Sequence, residues 1–178
     1  MEQKALVIGK SLLAASEGLA DLFGEPGAAP GIAAELLELV AESVGSSAMA
    51  MPGARPVVDA AAAAVPVAVA SNSPRALLEA ALARGGFTGT FPVSIAADEI
   101  DRPKPAPDMY LRACELLSVA PADTLAFEDS MTGLRSARAA GVRVVGVPTL
   151  RTGEFPADLV VDSLQDGGLL AWMRRWTG

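Results

Sequence analysis

The sequence contains no histidine. That absence removes Ser-His-Asp and Cys-His hydrolases, HExxH metalloproteases and histidine phosphocarriers. Any chemistry must come from carboxylates, lysine, hydroxyls and a hard metal ion. Cysteine is nearly absent as well. A single Cys114 excludes an intrachain disulfide and suits a reducing compartment. It falls on the apolar side of a helical run with Tyr110, Ala113 and Leu117, where a free thiol packs as a small hydrophobe. Positive charge is scarce: 14 Lys and Arg stand against 21 Asp and Glu, for a net charge of −7. A nucleic-acid surface needs a basic stripe that this composition does not offer. A phosphorylated small molecule needs only one or two local cations. Long apolar runs are missing too. AAAAAVPVAVA at 60–70 is too short to span a bilayer and contains Pro66. ALVI at 5–8 is cut off by Gly9 and Lys10, short of a signal-peptide core. These absences predict a cytoplasmic protein with neither a membrane nor a nucleic acid as partner.

What is present is apolar and alternating. At 178 residues, 51% of them hydrophobic and 20% charged, the chain can bury the core of one domain with a small appendage. Residues 1–50 read as helical. LLAASEGLADLF (12–23) places Leu12, Leu19, Leu22 and Phe23 on one face. IAAELLELVAESV (32–44) places Leu36, Leu37, Val40 and Val44 in register, and GEPGAAPG joins the two as a loop. Met-Pro-Gly at 51–53 marks a boundary. Beyond it, short apolar runs at 67–71, 91–97, 124–129, 142–147 and 158–164 alternate with helical patterns at 74–84, 107–118 and 131–140. A last helix carries Trp172 and Trp176. Strand-helix alternation of this kind predicts an α/β fold with a doubly wound parallel sheet, and ligands gather at the carboxyl ends of such strands.

Three polar clusters directly follow predicted strands. In SNSP (71–74), Ser73 suits an N-cap and Pro74 the first helical position. Free N–H groups and a helix dipole would then lie beside Ser71 and Asn72, which makes either a plain cap or an anion site. In DRPKPAPDMYL (101–111), Lys104 is fenced by Pro103, Pro105 and Pro107. A lone loop lysine is ordinarily a solvated charge, but rigid flanks and a place after a strand suit a preorganised cation. In FEDSMTG (127–133), Glu128 and Asp129 cap the next helix or share a cation, and Mg²⁺ suits such an oxygen donor set. Two apparent motifs fail. GKS at 9–11 lacks the upstream glycine of a P-loop, because position 4 is Lys4, and GGFTG at 85–89 is a helix stop.

Taken in order, ASNSP, KPAPDMYLRA and FEDSMTGLRSARAAGV resemble the haloacid dehalogenase superfamily, in particular its β-phosphoglucomutase-like and small-phosphatase branch. The likeness runs from about Pro52 to Leu164. It implies a Rossmann-like core over residues 51–178 and makes residues 1–50 part of a helical cap. Carried onto this sequence, the resemblance makes Ser71, helped by Asn72, the group that binds the transferring phosphoryl. It makes Lys104 the cation that neutralises developing charge, and Asp129 with Glu128 the ligands of Mg²⁺. The family's nucleophile is the first aspartate of an Asp-x-Asp motif that closes a central first strand. No such pair occurs here, since Asp98 and Asp101 have the wrong spacing and precede the lysine loop.

The resemblance therefore implies a member whose first, central strand and nucleophile loop are missing. That leaves a slot between the strands carrying Ser71 and Asp129. The slot could be filled by ALVI, closed by direct pairing of its two walls, left open in a chain that is unstable alone, or filled by a strand from a second copy. The activities implied are a phosphatase on a small, sugar-phosphate-like substrate, an inactive phosphometabolite- or partner-binding fragment, or a phosphomutase.

Overall fold

A computed structural model describes residues 10–149 and 153–176, so the ALVI segment at 5–8 lies outside the described residues. The chain opens with α1 (Leu12–Leu22), capped by Ser11, whose Oγ accepts from Ala14 N at 3.3 Å. After a 3₁₀ turn at Pro26–Ala28 comes α2 (Ala29–Ser47). The most enclosed residues of the hairpin are small, Ala15, Ser16, Ala20 and Ala29, while Leu12, Leu19, Leu36, Val40 and Val44 of the face expected from the sequence are half-buried. Leu22 and Phe23 are exposed, as are Leu37 and Leu39, because among the described residues no further helix covers that side. The hairpin is tied to the remainder of the chain by Arg84 Nη2, which donates to Ser46 O at 3.2 Å.

Gly53 turns the chain into α3 (Ala54–Ala62), a helix that alanine-rich residues had hidden from a periodicity reading. Its φ is +87°, and a Cβ here would lie 2.5 Å from the Leu164 backbone carbon, so glycine is required. The α/β alternation then follows as expected. β1 (Ala68–Ala70), α4 (Arg75–Arg84) and β2 (Val93–Ile95) form one unit; α5 (Asp108–Leu117) packs beside it. β3 (Leu125–Glu128), α6 (Met131–Ala139), β4 (Arg143–Gly146), β5 (Leu159–Val160) and α7 (Leu169–Trp176) complete the chain.

All strand pairings are parallel. Helices cover both faces, as parallel sheets demand. On one face Tyr110 and Cys114 of α5 and Leu134 and Ala137 of α6 pack on Ala126 and Val144. On the other, Val57 of α3 and Leu169 and Met173 of α7 pack on Val145, Val147 and Val161. Cys114 is thus a core residue, its Sγ 3.4 Å from Thr124 Oγ1.

The sheet is divided. β1 pairs only with β2, and β3 pairs only with β4, so among the described residues no strand lies between β1 and β3. The two edges do not close on each other. They flank a cavity of about 700 Å³ whose lining includes Ala68, Ala70, Leu125 and Phe127. This is the slot the sequence led one to expect, and direct pairing of its walls is not the solution adopted.

Candidate active site

The three polar clusters meet at one end of that cavity, which Ser71, Asn72, Lys104, Glu128 and Asp129 all line. β1 delivers Ser71 and β3 delivers Glu128 and Asp129, each at a carboxyl end. Lys104 joins the two sides. Its Nζ donates to Ala70 O at 3.1 Å and forms an ion pair with Glu128 Oε1. The two side chains are only 9% and 7% exposed, so the charges are held in a setting where an unpaired partner would be costly.

The lysine loop is pinned from outside itself. Asn72 Oδ1 accepts from Lys104 N at 2.9 Å, and Asn72 Nδ2 donates to Lys104 O at 2.9 Å. From the far side, Ser136 Oγ in α6 donates to Ala106 O at 2.5 Å. Asn72, expected to assist phosphate binding, has its amide turned on the lysine backbone. Ser71 Oγ accepts from Ser73 N at 3.1 Å, fixing the turn after β1.

The cap of α4 falls one residue later than the sequence suggested. Pro74 occupies the cap position, and Arg75 N donates to Asp98 Oδ1 at 2.9 Å. A carboxylate from the β2 side therefore satisfies one N–H that the sequence reading had offered to an anion. Arg75 continues the link through Ser94 and Glu99. That contact draws the Glu99 carboxyl below, and the Arg75 guanidinium above, their ordinary values.

Glu128 has a second partner that sequence reasoning missed. Tyr110 OH donates to Glu128 Oε1 and lies 3.5 Å from Lys104 Nζ, and the ammonium sits 4.9 Å from the phenol ring centroid. Burial first, and the Glu128 charge second, push the Tyr110 phenol well above its ordinary value. The available signal was spacing: Tyr110 follows Lys104 by six residues, one turn into the helix that Pro107 caps. The Glu128 carboxylate also rests against Gly133, where a Cβ would lie 1.7 Å from Oε2. Ser130 caps α6 by accepting from Gly133 N at 3.1 Å, so the carboxylate approaches the start of that helix.

Asp129 is less engaged: Thr149 Oγ1 donates to its Oδ2 at 3.4 Å. Among the described residues no group of three or more His, Cys, Asp or Glu side chains could hold a metal ion. The pair at the end of β3 still fits Mg²⁺, which is held by one or two carboxylates while waters and phosphate oxygens fill its remaining positions. Asp129 is the freer donor of the two, since Glu128 is committed to Lys104 and Tyr110.

A parallel sheet with helices on both faces, with its polar clusters at the carboxyl ends of the strands, defines a Rossmann-like α/β class of fold. Within that class the chain belongs to the haloacid dehalogenase-like hydrolases: the model of that family matches residues 3–141. It is 45% identical over 104 residues to protein CbbY of Rhodobacter capsulatus, covering 56% of this chain and 45% of that protein. It is 42% identical over 112 residues to the bifunctional riboflavin kinase/FMN phosphatase of Arabidopsis thaliana, covering 61% and 30%. The crystal structure of CbbY from Rhodobacter sphaeroides in complex with phosphate superposes with a TM-score of 0.73 at 26% identity. That match covers 93% of this chain and 78% of that one. The chain thus spans less than half the length of these two curated relatives.

Proposed function

We propose that this chain handles the phosphoryl group in a Mg²⁺-dependent, cytoplasmic phosphatase acting on small, sugar-phosphate-like metabolites. The observation that carries this reading is the Lys104 ammonium, buried and anchored between Ala70 O and Glu128 where Ser71 and Asp129 also open into the cavity. Phosphoryl transfer asks a protein chiefly for alignment and charge neutralisation. Ser71 Oγ supplies a hydrogen bond to the phosphoryl oxygens. Lys104 supplies fixed positive charge, and Asn72 holds the lysine loop in place. Asp129, with Glu128 behind it, is the proposed Mg²⁺ ligand. The ion, when bound, neutralises phosphate charge. Relatives that carry phosphatase in their names support the reaction type.

A second reading is favoured by the sequence itself, which contains no Asp-x-Asp pair to serve as nucleophile and acid/base. In that reading the chain binds a phosphorylated ligand without turning it over.

One assay separates the two. The purified 178-residue chain is incubated with p-nitrophenyl phosphate and Mg²⁺, and inorganic phosphate binding is measured calorimetrically in parallel. Release of phosphate that Lys104→Ala abolishes supports the phosphatase. Mg²⁺-stimulated phosphate binding without release supports the binding module. Neither response sinks both.

A further inference from the structure

Residues 103–107 have few means of holding themselves in place. Prolines at 103, 105 and 107 carry no N–H, which leaves two amides. Lys104 N is taken by Asn72 Oδ1, and Ala106 N turns back on Pro103 O at 3.1 Å. Carbonyls must therefore tie the segment to its surroundings. Lys104 O accepts from Asn72 Nδ2. Ala106 O stands just before α5, but the Tyr110 and Leu111 amides pass it over for Pro107 O. Its hydrogen bond comes instead from Ser136 Oγ, 30 residues away in α6.

Nothing local asks for a hydroxyl at position 136. It is fully enclosed and stands among Ala137, Ala139 and Ala140, where alanine serves a helix better. A helical serine ordinarily turns its hydroxyl back on a carbonyl one turn earlier. Ser136 reaches across to the lysine segment. The two clamps on that segment belong to different halves of the divided sheet. Asn72 follows β1, whereas α6 packs on β3 and β4. The ammonium repeats the division, with Ala70 O of β1 on one side and Glu128 of β3 on the other. Among the described residues no strand pairing joins the halves, so the lysine keeps its aim only if its backbone is registered to both. Pro105 alone separates the two clamped residues, and its ring fixes φ, so a hold on Ala106 is passed to Lys104.

We propose that Ser136 is a positioning residue for Lys104. Its hydroxyl registers the lysine segment to α6, as Asn72 registers it to β1, and keeps the ammonium aimed at the site that Ser71 and Asp129 share. That use of the ammonium rests on the phosphoryl-binding reading above; the clamp itself does not.

Ser136→Ala tests this in the full chain, under conditions where circular dichroism shows it folded. The first measurement is trace acetylation of amines, read by mass spectrometry as the ratio of Lys104 to Lys10. A released ammonium should raise that ratio roughly threefold or more, by local opening. The second is calorimetric titration with inorganic phosphate in Mg²⁺. Affinity should fall about tenfold, the scale of one buried hydrogen bond. Ser136→Cys, similar in size and a weaker donor, should fall between the two on both measures. It carries the test if the alanine variant does not fold. A serine with a purely structural role would lower the denaturation midpoint and move neither value. An unchanged labelling ratio overturns the proposal whatever phosphate does, and so does raised labelling with unchanged phosphate affinity. If the unaltered chain binds no phosphate, the phosphoryl reading fails and the labelling ratio alone decides the clamp.

Discussion

The Asn72 side chain grips both backbone groups of Lys104, accepting from its N–H and donating to its C=O, each at 2.9 Å. A residue just past β1 thus sets the path of a loop that begins after β2. The lysine is held by an amide clamp as well as by the prolines around it. Asn72→Ala should lower unfolding free energy by about 1–3 kcal/mol in urea titrations, the cost of leaving part-buried backbone groups unpaired. Asn72→Asp, which keeps the acceptor and loses the donor, should recover part of that loss.

Lys104 and Glu128 should behave as one unit. Removing either partner strands a buried charge, so Lys104→Met or Glu128→Gln is expected to cost about 3–5 kcal/mol. The double variant should be more stable than the sum of the two losses predicts, and denaturant melts of all four proteins measure the coupling. Strict additivity would show that the pair does not interact in solution.

Gly133 offers a test of sign. Replacing an exposed helical glycine by alanine ordinarily stabilises by about 1 kcal/mol. At Gly133 the new methyl would sit 1.7 Å from Glu128 Oε2, so Gly133→Ala should instead destabilise by about 1–3 kcal/mol. Gly45, in α2 with nothing within 4 Å of a Cβ, is the matched control and should show the ordinary gain.

Tyr110 is the only tyrosine in the chain, which makes its ionisation directly visible in the near ultraviolet. Its phenol is pushed up by burial and by Glu128. The folded protein should therefore show no tyrosinate band at pH 10, where an unfolded chain is half ionised. The linkage has a definite sign. The neutral phenol is favoured in the folded state, so its contribution is fully present below the unfolded value and is lost as pH rises towards the folded one. Stability should fall above about pH 10, and Tyr110→Phe should flatten that fall.

Much of the site was legible because its residues sit at the ends of short apolar runs. Ser71, Lys104 and Asp129 follow strands, and the fold brings strand ends together. The roles of their neighbours were not legible. Asn72 reads as an anion-site helper in SNSP, yet its amide is occupied by a backbone 32 residues away. Glu128 reads as half of a metal pair, yet its Oε1 is taken by residues 24 and 18 positions earlier. Local pattern encodes where a side chain emerges, and long-range packing decides what it meets. Helix α3 escaped notice for a related reason. Its alanines carry no apolar period, and only burial of Val57 against the sheet reveals a face. In the hairpin the expected face was realised in part: Leu12, Leu19, Leu36, Val40 and Val44 are half-buried and Leu22, Phe23 and Leu37 exposed, while the small Ala15 and Ala20 are the most enclosed.

The division of the sheet also gives the molecule two clocks. Val145 lies fully enclosed in a ladder flanked on both sides, so its amide proton can leave only when the β3–β4–β5 block opens. Among the described residues β1 has one neighbour and no fully enclosed residue, and local fluctuation is enough to reach it. Deuterium should therefore enter the β1–β2 half long before it reaches the β4 interior. A single chain would carry two distinct rates of breathing on either side of Lys104.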